Sequence, residues 1–118
     1  MSHCSKILIV DDEALIAFDF EMTIQDAGFD VMGPATSLDE AFAMVGEETP
    51  RAAVLDIDVN QRPVWPLARQ LREVGTHIVF VSANLHHDEL HEEFRDELRL
   101  DKPVSQADLI EALRQGLN

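Results

Sequence analysis

The stretch Ile7-Leu8-Ile9-Val10-Asp11-Asp12-Glu13, ILIVDDE, runs four bulky apolar residues straight into three acids. A continuous apolar run of this length suits a strand buried on both faces, as in a parallel sheet covered by helices. The acids that end it repel one another: two carboxylates about 4 Å apart cost on the order of 4 kcal/mol at an effective dielectric near 20. A chain that places them there calls for a positive charge beside them.

Working outward from this stretch, short apolar runs recur at 6–10, 29–32, 52–55, 77–81 and, more weakly, 98–100, separated by segments of helical length. Residues 13–27 carry Ile16, Phe20, Ile24 and Ala27 at helical spacing, with Gly28 placed as a stop. Ser37-Leu38-Asp39-Glu40 is a capping-box pattern for a second helix reaching about Glu47. The third spans 64–74, the fourth runs from Asn84 to about Glu97, and Ser105-Gln106-Ala107-Asp108 caps a fifth that extends to Leu117. Five βα repeats predict an α/β, doubly wound parallel sheet with right-handed crossovers.

The 118 residues fit one domain with a real core, residues 1–118, and no output domain is expected. The formal net charge of -14 repels nucleic acid and anionic membrane, so neither is expected as a partner. No apolar run approaches the roughly 20 residues of a membrane span. A lone Cys4 cannot form an internal disulfide, and the apolar run after MSHCSK is too short for a signal peptide, which together predict a cytoplasmic protein. His3 and Cys4 are two metal-capable ligands at a chain end, too few for a site.

In an open parallel sheet, ligands bind at the carboxyl ends of the strands. The residues placed there are Asp11 and Asp12 after the first strand, Asp56 and Asp58 after the third, Ser82 after the fourth, and Lys102-Pro103 after the fifth. Crowded carboxylates suit a hard divalent cation such as Mg2+, which keeps sites for waters and a phosphate oxygen. A hydroxyl and an ammonium fit the oxygens of a phosphoryl group, and a carboxylate can accept that group covalently.

On these residues the chain resembles the receiver domains of two-component response regulators, of the stand-alone single-domain type. The resemblance covers about Lys6 to Leu117 and rests on ILIVDDE, VLDID, VFVSA and DKP taken together and in this order. It implies a flavodoxin-like (βα)5 sheet of order 2-1-3-4-5. It further implies Asp56 as phosphoacceptor, with Asp11, Asp12 and Asp56 and the backbone carbonyl of Asp58 holding Mg2+. Ser82 and Lys102 would contact the phosphoryl group, Ala83 would leave it access, and the bond to Pro103 is a candidate cis peptide. The implied donor is a phosphohistidine on a sensor histidine kinase or histidine phosphotransfer protein. Such a protein is not an enzyme on other molecules; it catalyses only its own phosphorylation and dephosphorylation. Output passes to a protein target or the chain serves as a phosphate sink, and the face of helix four, strand five and helix five is the implied surface for homodimers or targets.

Three features depart from the family pattern, one of them the segment between Ser82 and Lys102, which is slightly short and whose HHDELHEEFRDE is heavily charged. Arg99 stands where receivers carry a switch aromatic, and it is expected to snorkel to solvent or pair with acids of the fourth helix. The loop after Asp56 reads IDVNQRPVWP in place of the usual Pro and Gly, and the Asp58 carboxylate lies near the path of a hydrolytic water, where it would tune phosphoryl lifetime. Trp65 is either a partner anchor or buried against the third helix. His87 and His91 have zinc-compatible spacing, but an exposed charged helix face is the simpler reading beside His86 and the surrounding acids. Two other functions compete: a pseudo-receiver acting by fold alone, and a haloacid-dehalogenase-like phosphatase suggested by Asp56-x-Asp58, which would place its signature on the wrong strand.

Overall fold

The computed structural model describes residues 6–83 and 87–117. His3, Cys4, His86 and the start of the expected fourth helix therefore lie outside the described residues. Five parallel strands form one sheet: β1 (Lys6–Val10), β2 (Asp30–Ala35), β3 (Ala52–Asp56), β4 (His77–Ser82) and β5 (Leu98–Asp101). They are arranged β2-β1-β3-β4-β5, the expected 2-1-3-4-5 order. The helices are α1 (Ala14–Asp26), α2 (Leu38–Glu47), α3 (Trp65–Glu73), α4 (Asp88–His91) and α5 (Gln106–Leu117).

Alternation along each buried strand explains why both faces are covered, because successive side chains point to opposite sides. Leu8, Val10, Leu55, Ile78 and Phe80 pack with residues of α2, α3 and α4, while Ile7, Ile9, Val54, Val79 and Val81 pack with α1 and α5. Ser37 caps α2 by accepting from the Glu40 N–H at 3.2 Å, and Ser105 caps α5 by accepting from the Asp108 N–H at 3.1 Å, as their spacing predicts.

The second strand runs past Met32, where the sequence pattern ends, to Ala35. Gly33 makes this possible: its φ is +94°, and a Cβ there would meet the Ala35 nitrogen at 2.7 Å. Pairing with β1 shifts register across this point and resumes at Val10 and Ala35. The Asp11 N–H then donates to the Ala35 carbonyl at 3.1 Å, which fixes the backbone of the first acid.

The expected fourth helix is corrected to four residues, Asp88–His91. Tertiary anchors pull the following segment out of helical register. The Phe94 N–H donates to the Glu89 carbonyl at 2.8 Å, five residues back, and the buried Phe94 ring stacks on Trp65 at 5.5 Å between centroids. Arg69 grips the Glu93 carboxylate with two bonds of 2.7 and 2.8 Å, and Arg72 donates to the Glu93 carbonyl at 3.0 Å. Trp65 is thus a core residue at the start of α3, in edge contact with Phe80 as well.

At the far end of the sheet, the His77 ring ties β4 to the last helix, with its Nε2 lying 2.9 Å from the Ala112 carbonyl. Gly116 leaves the space that the ring occupies, since a Cβ at 116 would collide with it. Gly116→Ala is expected to destabilise the fold by about 1–3 kcal/mol, the usual range for overpacking. Urea denaturation read by circular dichroism checks this, and an unchanged midpoint would show that α5 can shift freely.

Candidate functional site

The acids announced by the sequence meet at the carboxyl edge of the sheet. Asp11 is fully buried, Asp56 is 6% exposed and Asp12 is half-buried. Each offers a carboxylate oxygen within 4.8 Å of the others. Asp11 is held from within the chain, since its Oδ1 accepts from the Glu13 N–H at 2.9 Å, an Asx-type turn leading into α1. Asp12 Oδ2 accepts from the Asn60 N–H at 2.8 Å, and Asn60 Nδ2 donates to the Thr36 carbonyl at 3.1 Å.

The positive charge that the opening stretch demanded is Lys102, brought in at the end of β5. Its Nζ lies 3.0 Å from Asp11 Oδ2, 3.5 Å from Asp56 Oδ1 and 3.7 Å from Glu13 Oε1. The contact with Asp11 Oδ2 is an ion pair without hydrogen-bond alignment, and that buried oxygen has no hydrogen bond among the described residues. Lys102-Pro103 is a cis peptide, as expected, and Gly33-Pro34 is a second. The Lys102 N–H donates to the Ser82 carbonyl at 3.0 Å, so β4 and β5 deliver both residues to one edge; Ser82 is buried there.

Burial raises the Asp56 carboxyl, repulsion from Asp11 and then Asp12 raises it further, and the Lys102 charge only partly opposes them, leaving it at about 7. Burial alone would push the Lys102 ammonium down, but its contact with Asp11 and the charges of Asp11, Asp56 and Glu13 outweigh this and hold it above the ordinary lysine range. One lysine therefore leaves the three-carboxylate pocket short of positive charge. The donor set fits Mg2+: hard oxygens converging from two strand ends, one of them the unbonded buried oxygen of Asp11.

The segment after Asp56 forms a two-stranded hairpin, Asp58–Val59 with Arg62–Pro63, turned by Asn60 and Gln61 at φ 53° and 65°. Two left-handed residues make a type I′ turn, usually Asn-Gly. With Gln61 in the glycine place, the sequence carries little sign of it. The Val64 N–H closes the loop onto the Ile57 carbonyl at 2.8 Å. Sequence reading also missed three neighbours of the site. Asn60 acts through its backbone, which no side-chain pattern reveals; Glu13 was legible only as part of DDE; His87 reaches within 3.6 Å of Asp58 Oδ2 from a distant part of the chain.

His87 sits at the N-cap of α4 facing Trp65, while His91 is exposed on that helix, and among the described residues the one group of three or more metal-capable side chains is Asp11, Asp12 and Asp56. Arg99 is half-buried and, among the described residues, forms no ion pair with the acids of α4. Its Nη2 donates to the carbonyls of Arg95 at 2.8 Å, Glu97 at 3.2 Å and Phe94 at 3.3 Å, pinning the turn before β5. Those carbonyls lie in the irregular segment between the short α4 and β5, where no continuing helix supplies their N–H partners, although the Phe94 carbonyl also accepts from the Glu97 N–H at 3.0 Å.

Residues 7–114 match the model of the response regulator receiver domain. A response regulator receiver protein from Sinorhizobium medicae is 33% identical in sequence and superimposes with a TM-score of 0.84, covering 98% of this chain and 95% of that one. SdrG from Sphingomonas melonis is 29% identical with a TM-score of 0.81 over the whole of both chains. The transcriptional regulatory protein PdtaR from Mycobacterium tuberculosis is 27% identical over 116 residues, and the chain spans 57% of that protein's length. No helix among the described residues is long and apolar enough to cross a membrane.

Proposed function

This chain belongs to the response regulator receiver domain family of two-component systems, and on that premise we propose that it accepts a phosphoryl group from a phosphohistidine donor onto Asp56 and signals through protein contacts or drains phosphoryl groups as a sink. The observation that carries the reading is the convergence of Asp56, Asp11, Asp12 and Lys102 within one buried, charge-deficient pocket. Receiver domains bind Mg2+ at an acidic pocket, and Asp11, Asp12 and Asp56, with the Asp58 carbonyl, would hold it here. When bound, the ion neutralises carboxylate and phosphoryl oxygens during transfer.

The chain's own residues account for the remaining chemistry. Asp56 attacks phosphorus as a carboxylate; its bond to phosphorus forms as the histidine nitrogen–phosphorus bond breaks and the imidazole leaves with that electron pair. Lys102 stays protonated, 3.5 Å from the acceptor oxygen, placed to stabilise charge spread over the transferring oxygens. Ser82 contributes a buried hydroxyl at the same edge. The protein would act in the cytoplasm and catalyse only its own loading and resetting. Incubation with Mg2+ and acetyl phosphate followed by intact mass is the test: one added phosphoryl group supports the reading, and none, with beryllofluoride also failing to bind, favours a pseudo-receiver.

The donor's docking surface is also suggested by the chain. Leu15, Phe18 and Met22 form an exposed stripe on α1, 81%, 53% and 47% accessible, that begins beside the acidic pair. A groove of about 660 Å³ along α1, lined by Ile16, Phe20, Val104 and Leu109, leads to Lys102. Exposed apolar residues at i, i+3 and i+7 suit a partner helix. Leu15→Ser with Phe18→Ser is expected to slow uptake from a phosphohistidine kinase about ten-fold or more while uptake from acetyl phosphate is retained, since contacts of this size contribute roughly 1–3 kcal/mol each at an interface. Equal loss from both donors would place the stripe's effect on the fold instead.

A further inference from the structure

A second pair involves the hairpin of Asp58–Val59 and Arg62–Pro63, which the Asn60 N–H ties to the site by donating to Asp12 Oδ2 at 2.8 Å. Asp58 follows the acceptor by two residues, and its carboxylate is 57% exposed, open to water. His87 arrives from the start of α4 with its Nε2 at 3.6 Å from Asp58 Oδ2. That nitrogen is buried and has no hydrogen-bond partner among the described residues. The ring stands in T-shaped contact with Trp65 at 5.8 Å between centroids, and Trp65 is itself packed against Phe94 and Phe80. An imidazole packed against Trp65, with a buried and unbonded nitrogen 3.6 Å from an exposed carboxylate, is placed to orient that carboxylate. The 3.6 Å gap exceeds a hydrogen bond, and holding the carboxylate requires the exposed Asp58 side chain to move closer to the ring.

We propose that His87 is a positioning residue for hydrolysis of the aspartyl phosphate: it holds one oxygen of Asp58 so that the other orients the attacking water. This rests on Asp56 being the phosphoacceptor. In the step, the water oxygen bonds to phosphorus, the phosphorus–oxygen bond to Asp56 breaks, and the electron pair returns to the Asp56 carboxylate. Both water protons leave on the phosphate product, so Asp58 accepts a hydrogen bond and no net proton. His87 touches neither phosphorus nor water; it acts by setting the angle of Asp58, and orientation of this kind is worth a modest factor in rate.

Three substitutions separate this from simple packing. His87→Phe keeps a ring against Trp65 but has no nitrogen, His87→Gln keeps a terminal donor, and Asp58→Asn removes the charge that is held. The protein is loaded with acetyl phosphate and Mg2+, the donor is removed by rapid desalting with Mg2+ maintained, and first-order loss of the phosphoryl group is followed by intact mass. His87→Phe and Asp58→Asn should each lengthen the half-life about five-fold, the double variant no more than either alone, and His87→Gln should stay within about two-fold of native. Fluorescence of Trp65, the single tryptophan, should be native in His87→Phe. The proposal is overturned if His87→Phe leaves the half-life unchanged, if the two effects multiply, or if glutamine fails to rescue. Absence of any adduct on the native protein would overturn the phosphoacceptor reading itself, and this inference with it.

Discussion

Asp56→Asn protein takes up no measurable phosphoryl group from acetyl phosphate, a loss of at least about 1,000-fold, because an amide oxygen is no substitute for a carboxylate nucleophile. The site explains why no neighbour takes over. Asp11 has one oxygen committed to the Glu13 N–H and the other against Lys102, and Asp12 is tied to Asn60. Both are holders of charge, while Asp56 at the end of β3 keeps its carboxylate 3.5 Å from the Lys102 ammonium for the incoming group. Chelating Mg2+ should abolish uptake by the native protein equally, since three carboxylates and one ammonium leave a phosphoryl group facing net repulsion. Intact mass with and without EDTA, on native and variant protein, measures both. Retention of the adduct in Asp56→Asn would move the acceptor to another residue, and Asp12 would be tested next by the same substitution.

How much of this was legible beforehand follows from where each signal resides. Apolar runs, caps and strand-end acids are local patterns, and so the five strands and the group Asp11, Asp12, Asp56, Ser82 and Lys102 could be read from the chain, while the strand order followed from the family resemblance. The failures were long-range or backbone effects. Residues 92–97 have the charged, helix-prone composition that suggested a long α4, yet Phe94 packing on Trp65 and the arginines on Glu93 outweigh propensities of a few tenths of a kcal/mol per residue. Arg99 was legible as an oddity but not as a tie to the carbonyls of Phe94, Arg95 and Glu97, because those residues read from the sequence as part of a continuing helix. The hairpin turn at Asn60-Gln61 lacks its usual glycine, and the hydrogen bond that matters there comes from a peptide N–H. His87 and Asp58 are far apart in sequence and meet only through the fold.

Stability of the metal-free protein should fall as pH rises from about 4 to about 7, opposite to the trend for carboxylates stabilised by partners. The folded state raises Asp56 from 3.8 to about 7, so between those values folded protein binds the proton that unfolded chain has released. The contribution is fully present below the unfolded value and is lost by the time pH passes the folded one. A displacement of this size corresponds to about 4 kcal/mol at the limit, and screening by water at the mouth of the site reduces it to about 2 kcal/mol. Asp56→Asn, neutral throughout, should therefore melt several degrees higher than native protein at pH 8 without Mg2+, about 8 °C at the roughly 4 °C per kcal/mol of a domain this size. The two should converge near pH 4. Millimolar Mg2+ should close the gap at pH 8 from the native side, because the ion binds folded protein and supplies the charge that Lys102 alone does not. Thermal melts of both proteins across pH 4–8, with Mg2+ or EDTA, decide the matter. A native protein that melts at the same temperature as Asp56→Asn at pH 8 in EDTA would mean that the pocket carries no uncompensated charge, and that Lys102 alone suffices to neutralise the acids crowded at the end of ILIVDDE.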